Sequence, residues 1–165
     1  MDKNDFVSTI AVDYTTLLDL LKAENFEDAN KETMTLCLKA AGQEKIGWLN
    51  AEHASKIPSE DLHLMNQLWQ DYSNRHFGFS VQSLIWQSKT WRTACKELGW
   101  SRGYSHRSNR GYFYSTFSDE SQLTFNVLEA PAGHLPSTAI HIALQERTRQ
   151  PFMDTLLRRF HVSHV

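Results

Sequence analysis

Apolar residues recur at three- and four-residue steps along most of this chain, a period that fits helices and not strands. Tyr14, Leu17, Leu18 and Leu21 form one stripe. Phe26, Ala29, Thr33, Leu36 and Leu38 carry a second, which Gly42 ends. Glu24-Asn25 separates the two, so they predict an antiparallel helix pair with a very short connection. Trp48-Leu49 reads as an apolar turn into a polar stretch. Pro58-Ser59-Glu60-Asp61 then announces a helix, with Ser59 as the cap and two carboxylates at the positive end of the dipole. That helix runs through Leu62, Met65, Leu68, Trp69 and Tyr72, and Ser73 to His76 break it. Ser80 is expected to cap another through Val81, Leu84 and Ile85. Residues 91–98 add one or two turns, ended by Gly99. Leu123 to Leu128 alternate like a strand without a partner. Ala130 to Pro136, with two prolines and a glycine, form a rigid connection, and short helices are expected around 138–146 and 152–160. The class is all-α.

Length and charge narrow the function. The 165 residues suit one domain, read here as a lead-in over 1–12 and a single helical domain over 13–165. Apolar content of 41% excludes disorder for the chain as a whole. A net charge of −2 gives no case for nucleic acid. The opening Met1-Asp2-Lys3-Asn4-Asp5 has no basic stretch before an apolar run, and no segment is long enough to span a membrane. A soluble cytoplasmic monomer, at most peripheral to a membrane, is expected. Cys37 and Cys95 stand alone and read as small buried hydrophobes. The eight His lack metal-ligand spacing, and no nucleophile, phosphate-loop or metalloprotease motif is present. No catalytic residue, no metal and no enzyme are therefore expected.

Aromatic content points to a ligand. Five Trp, nine Phe and five Tyr make 12% of the chain, enough for a thick core or for holding a large flat molecule. Trp69, Phe79, Val81 and Ile85 lie on helical stripes and suit a core. Residues 101–117 do not. Arg102, Arg107 and Arg110 fall in a Gly- and Ser-rich stretch without an acid, followed by Tyr112-Phe113-Tyr114 and Phe117. A long aperiodic connection is usually functional or disordered, and its aromatics argue against disorder. Rings need apolar faces and carboxylates need guanidinium, so a flat, conjugated, anionic ligand fits.

These residues also carry a family pattern. Ile57-Pro58-Ser59-Glu60-Asp61-Leu62, Leu68-Trp69, Tyr72-Ser73, Phe77-Gly78-Phe79-Ser80-Val81-Gln82 and Ile85-Trp86 strongly resemble the Genomes-Uncoupled tetrapyrrole-binding family, accessory proteins of magnesium chelatase. Leu98-Gly99-Trp100 resembles its Gly-Trp before a variable loop. Leu123-Thr124-Phe125 with Ala130-Pro131-Ala132-Gly133-His134-Leu135-Pro136 is similar to its closing motif. Asn66 stands where the family often has Asp, and Arg75-His76 where it usually has Gly. The resemblance implies a compact cupped helical domain, with a long aromatic and Arg-rich loop over an apolar palm. It implies a non-catalytic carrier or regulator in chlorophyll or phycobilin metabolism. The ligand would be protoporphyrin IX, magnesium protoporphyrin or an open-chain bilin. The large subunit of magnesium chelatase or a bilin-handling enzyme would be the partner, and an interaction module of a signalling system is the other class. On this reading Met65, Phe79, Val81, Trp86 and Trp100 form the floor. Phe77 lies in the pocket or behind it. Tyr104, Tyr112 and Phe113 close over one face of the ring. Arg102, Arg107 or Arg110 pairs with propionates, and His106 donates to a ring oxygen or carboxylate.

Overall fold

Leu17, Leu18 and Leu21 are buried on one side of helix α1 (Thr15–Lys22), as their spacing requires. The computed structural model describes residues 12–107, 113–117, 120–138 and 146–161; for 102–107, 113–117, 120 and 146–148 it describes the backbone alone. Glu24 takes a left-handed φ of 54° to close the turn, and Asn25 caps α2 (Phe26–Ala40) by accepting from the Asp28 N–H. Gly42, with φ 67°, ends α2. α1 packs against α2 and against α4 (Ser59–Tyr72).

A short helix, α3 (Ala51–Lys56), occupies the stretch expected to be only polar, with Asn50 accepting the His53 N–H at 2.9 Å. Pro58, not Ser59, stands in the cap position of α4. The Ser59 hydroxyl instead accepts from Arg159 Nη2 at 2.7 Å. Helix α5 (Phe79–Gln87) begins after Gly78, whose φ of 122° suits glycine. Ser80 does not cap this helix. Its N–H and hydroxyl both donate to Asn66 Oδ1 on α4, at 2.9 and 3.1 Å. α6 (Trp91–Glu97) follows, and Gly99 turns the chain out of it with φ 72°.

The helical class expected from sequence stands, but part of the presumed loop is a two-stranded antiparallel ribbon. β1 (Ser101–Arg107) pairs with β2 (Phe113–Phe117), Ser101 opposite Phe117 and Arg107 opposite Phe113, with irregularities between 101 and 106. A 3₁₀ turn at Glu120–Gln122 leads away. Leu123 to Leu128 form no strand. The Asn126 side chain accepts the Leu128 N–H at 2.8 Å and its carbonyl takes those of Glu129 and Ala130, which bends the chain into a turn.

Residues 130–138 form a strap, buried from Gly133 onward. Gln82 Nε2 donates to the Gly133 and Pro136 carbonyls at 3.0 and 2.8 Å. Asn30 Oδ1 accepts the Ser137 N–H at 2.8 Å, and Gly78 donates to Leu135. The first of the two late helices expected, around 138–146, lies mostly outside the described residues. The second is α7 (Glu146–Leu157) with a closing 3₁₀ turn at Arg158–Phe160. α7 packs on α3 and α5. At the centre of the core, Phe26, Trp69 and Phe77 meet with ring centroids 5.6–6.0 Å apart. The Trp69 indole N–H donates to Thr33 Oγ1 at 2.9 Å, so no indole donor is stranded there. Cys37 and Cys95 are buried free thiols.

Candidate functional site

The end of α5, the start of α6 and the middle of α7 border an open groove of about 600 Å³, lined by Trp86, Lys89, Thr90, Trp91, Arg92, Gln150 and Asp154. The size is that of an ordinary small-molecule site. Trp86 and Trp91 meet edge to face with centroids 5.0 Å apart. The Trp86 indole N–H donates to Asp154 Oδ1 at 2.7 Å, a charge-assisted bond that fixes the ring's direction. Thr90 caps α6 and so sets Trp91 at its first position. Lys89 pairs with Glu97 at 3.0 Å, both partly exposed. The groove thus offers an edge-to-face indole pair within a rim of cationic, carboxylate, amide and hydroxyl groups.

A second groove, of about 460 Å³, lies between Phe26, Tyr72, Phe125, Val127 and Leu128. None of the expected site residues lines it. The first groove contains Trp86 and is formed partly by α6, which runs directly into the ribbon.

The expected site residues fall into four groups. Met65, Phe77, Phe79 and Trp100 are all 0% exposed. Met65 sulfur sits 4.0 Å from Cys37 Sγ, and Phe79 stacks on Phe160 at 5.7 Å. Trp100 donates from its indole to the His134 carbonyl at 2.8 Å. These four side chains therefore touch the core rather than an open surface, Phe77 among them. Val81 and Trp86 are half-buried on α5, and Trp86 lines the groove. Arg102, Tyr104, His106 and Arg107 lie on β1 and Phe113 on β2, where the backbone register sets His106 opposite Tyr114. Arg110 and Tyr112 lie outside the described residues.

Trp91, Lys89, Arg92, Gln150 and Asp154 are groove residues that the sequence reading passed over. Thr90-Trp91, five residues beyond Trp86, was the available signal for the first of these. Asp154 meets Trp86 across 68 residues and leaves no local mark. Among the described residues no group of three or more His, Cys, Asp or Glu is placed to hold a metal. No helix there is long and apolar enough to cross a membrane.

The fold and the groove define a class: a helical frame that carries a two-stranded ribbon after one end of α6 and a Trp-lined groove at the other. The particular family follows from comparison. A family model described as GUN4-like matches residues 7–152, and the chain belongs to that family. The fold is similar to GUN4 from Chlamydomonas reinhardtii, with a TM-score of 0.70 and 28% identity over 93% of this chain and 94% of that one. It is equally similar to ligand-free GUN4 of Arabidopsis thaliana, at 0.69 and 26% over 94% and 97%. Among curated proteins, the ycf53 protein of Cyanidium caldarium is 34% identical over 79% of this chain and 54% of its own length. A Ycf53-like protein of Synechocystis is 34% identical over 78% and 52%. The chloroplastic tetrapyrrole-binding protein of Arabidopsis thaliana is 30% identical over 74% and 49%. The chain spans about half the length of these curated relatives.

Proposed function

We infer that the chain is a non-catalytic tetrapyrrole-binding protein that carries its ligand or presents it to a regulatory partner. The observation that carries this reading is the edge-to-face indole pair Trp86–Trp91, with Trp86 held by Asp154, in a groove lined partly by α6. The tetrapyrrole-binding relative in Arabidopsis supports the ligand class. In this reading Trp86 and Trp91 offer an apolar wall, and Val81 lies on another face of α5. Met65, Phe77, Phe79 and Trp100 belong to the core of the frame that carries it. Tyr104, Tyr112 and Phe113 cover the macrocycle, Arg102, Arg107 and Arg110 meet its carboxylates, and His106 donates to a polar edge. The setting is chlorophyll or phycobilin metabolism, with the large chelatase subunit or a bilin-handling enzyme as partner.

A second form of the ligand has its own support. Lys89, Thr90, Arg92, Gln150 and Asp154 make the rim polar, which suits the many donors and acceptors of an open-chain bilin. Titration with protoporphyrin IX, magnesium protoporphyrin, haem and a free bilin, read by tryptophan quenching and ligand absorbance, separates the two. Saturable binding to one class is expected, weakened by about 1–3 kcal/mol in Trp86→Ala. Failure to bind any of the four overturns the reading and favours a protein-interaction module.

A further inference from the structure

The chain before the ribbon, at Leu98, and the chain after it, at Thr124, meet at one imidazole. The chain reaches β1 from α6 through Leu98, Gly99 and Trp100, and leaves β2 through the 3₁₀ turn into Leu123 and Thr124. His134, on the strap and 2% exposed, lies between these stretches. Its Nδ1 is 2.6 Å from the Leu98 carbonyl oxygen, and its Nε2 accepts from the Thr124 N–H at 3.1 Å. A carbonyl only accepts and a backbone N–H only donates, so the ring is neutral with its proton on Nδ1. Trp100 completes the joint by donating from its indole to the His134 carbonyl. Gly99 permits the approach, since a Cβ there would lie 2.9 Å from His134 Nδ1.

We propose that His134 is the positioning residue of the ribbon, its Nδ1–H tautomer tying the incoming root at Leu98 to the outgoing root at Thr124. Its bearing on ligand rests on the functional reading above; the joint itself does not. A two-stranded ribbon is marginal by itself in water, so its direction has to be set where it leaves the frame. The other side-chain bonds of the strap serve different ends: Gln82 and Asn30 tie it to α5 and α2. Burial lowers the ring's pKa, opposed by the Leu98 carbonyl. The neutral form that the joint requires is thus the form the site favours.

Two substitutions divide the joint. His134→Asn keeps a donor near the Nδ1 position but lacks the acceptor for Thr124. His134→Gln reaches towards Thr124 with an acceptor but loses the ring bond to Leu98. Amide hydrogen exchange is measured on the full chain without ligand, and protoporphyrin IX is titrated separately. Amides of 101–107 and 113–117 should exchange about tenfold faster in both variants, while α1, α2 and α4 keep wild-type protection. Affinity for protoporphyrin IX should fall by about tenfold. Wild-type imidazole ¹⁵N signals should show Nδ1 protonated and Nε2 bare; the reverse tautomer overturns the proposal. So does unchanged ribbon exchange in both variants, or an equal rise across α1, α2 and α4, which marks an ordinary core residue. If the wild type binds no protoporphyrin IX, the functional reading falls, and exchange alone still decides the joint.

Discussion

Asp61 is a fully buried carboxyl group held by one neighbouring hydroxyl. Tyr14 donates to its Oδ1 at 2.9 Å, while Oδ2 has no partner among the described residues. The sequence reads it as an acid at a helix start; Ser59 and Glu60 are exposed there, but Asp61 turns inward on α4, which packs against α1. Burial, reinforced by Asp61, raises the Tyr14 hydroxyl far above its ordinary range, so Tyr14 remains the donor at every working pH. Tyr14→Phe keeps the ring and strands Asp61, and should cost about 1–3 kcal/mol in urea denaturation. An unchanged midpoint would mean the bond contributes nothing net. The same burial, with Asp61 adding to it, pushes the Cys37 thiol up to about 12. Cys95 is also pushed up to about 12 by burial, with Arg149 pulling it back. At about pH 8 the thiolate fraction is then on the order of one in ten thousand. Iodoacetamide should leave both thiols unlabelled in the native protein and label both once it is unfolded, as read by mass spectrometry.

At the scale of elements, periodicity made some pieces legible and not others. α1, α2 and α4 carry stripes long enough to read, and they lie where the stripes put them. α3 has six residues, too few for a stripe, and it packs on α7, so only the Asn50 cap marked it. The ribbon was unreadable because Ser101 to Arg107 has almost no apolar alternation; pairing with β2, not pattern, makes it a strand. Leu123 to Leu128 had the alternation and lacked a partner, and the Asn126 side chain decided for a turn. The joint at His134 gives this scale a pH dependence. Its folded pKa lies below the ordinary 6.5 because burial disfavours the charged ring. Its contribution to stability is therefore whole above that value and is lost as pH falls towards the lowered folded pKa. The stability advantage of wild type over His134→Gln should shrink between about pH 7 and about pH 5. An advantage independent of pH would show that the ring does not titrate in this way.

Across the whole molecule, α7 closes the frame. Phe152, Met153, Leu156 and Leu157 are each 0% exposed. Arg159, just beyond, donates to the Ala54 and Ile57 carbonyls and to Ser59 Oγ, so it clasps the α3–α4 joint. Burial of four such side chains is worth about 6–12 kcal/mol, comparable with the total stability of an ordinary domain. A chain lacking 146–165 should therefore show no cooperative melt by circular dichroism. The candidate groove follows the same logic. Two of its walls come from the neighbouring helices α5 and α6, but the third comes from α7, whose Asp154 lies 68 residues beyond Trp86. Of the expected residues with described side chains, Trp86 is the one that lines it.

Anchoring the ribbon at its roots also separates two kinds of change in descent. The helices and the strap share buried contacts, so a substitution in one is felt in the others. Between Ser101 and Phe117 the chain departs from the frame and returns to it. Doubling a connection of this kind costs only about 0.6 kcal/mol in closure entropy. The ribbon can therefore be lengthened or shortened at little cost to the frame beneath it.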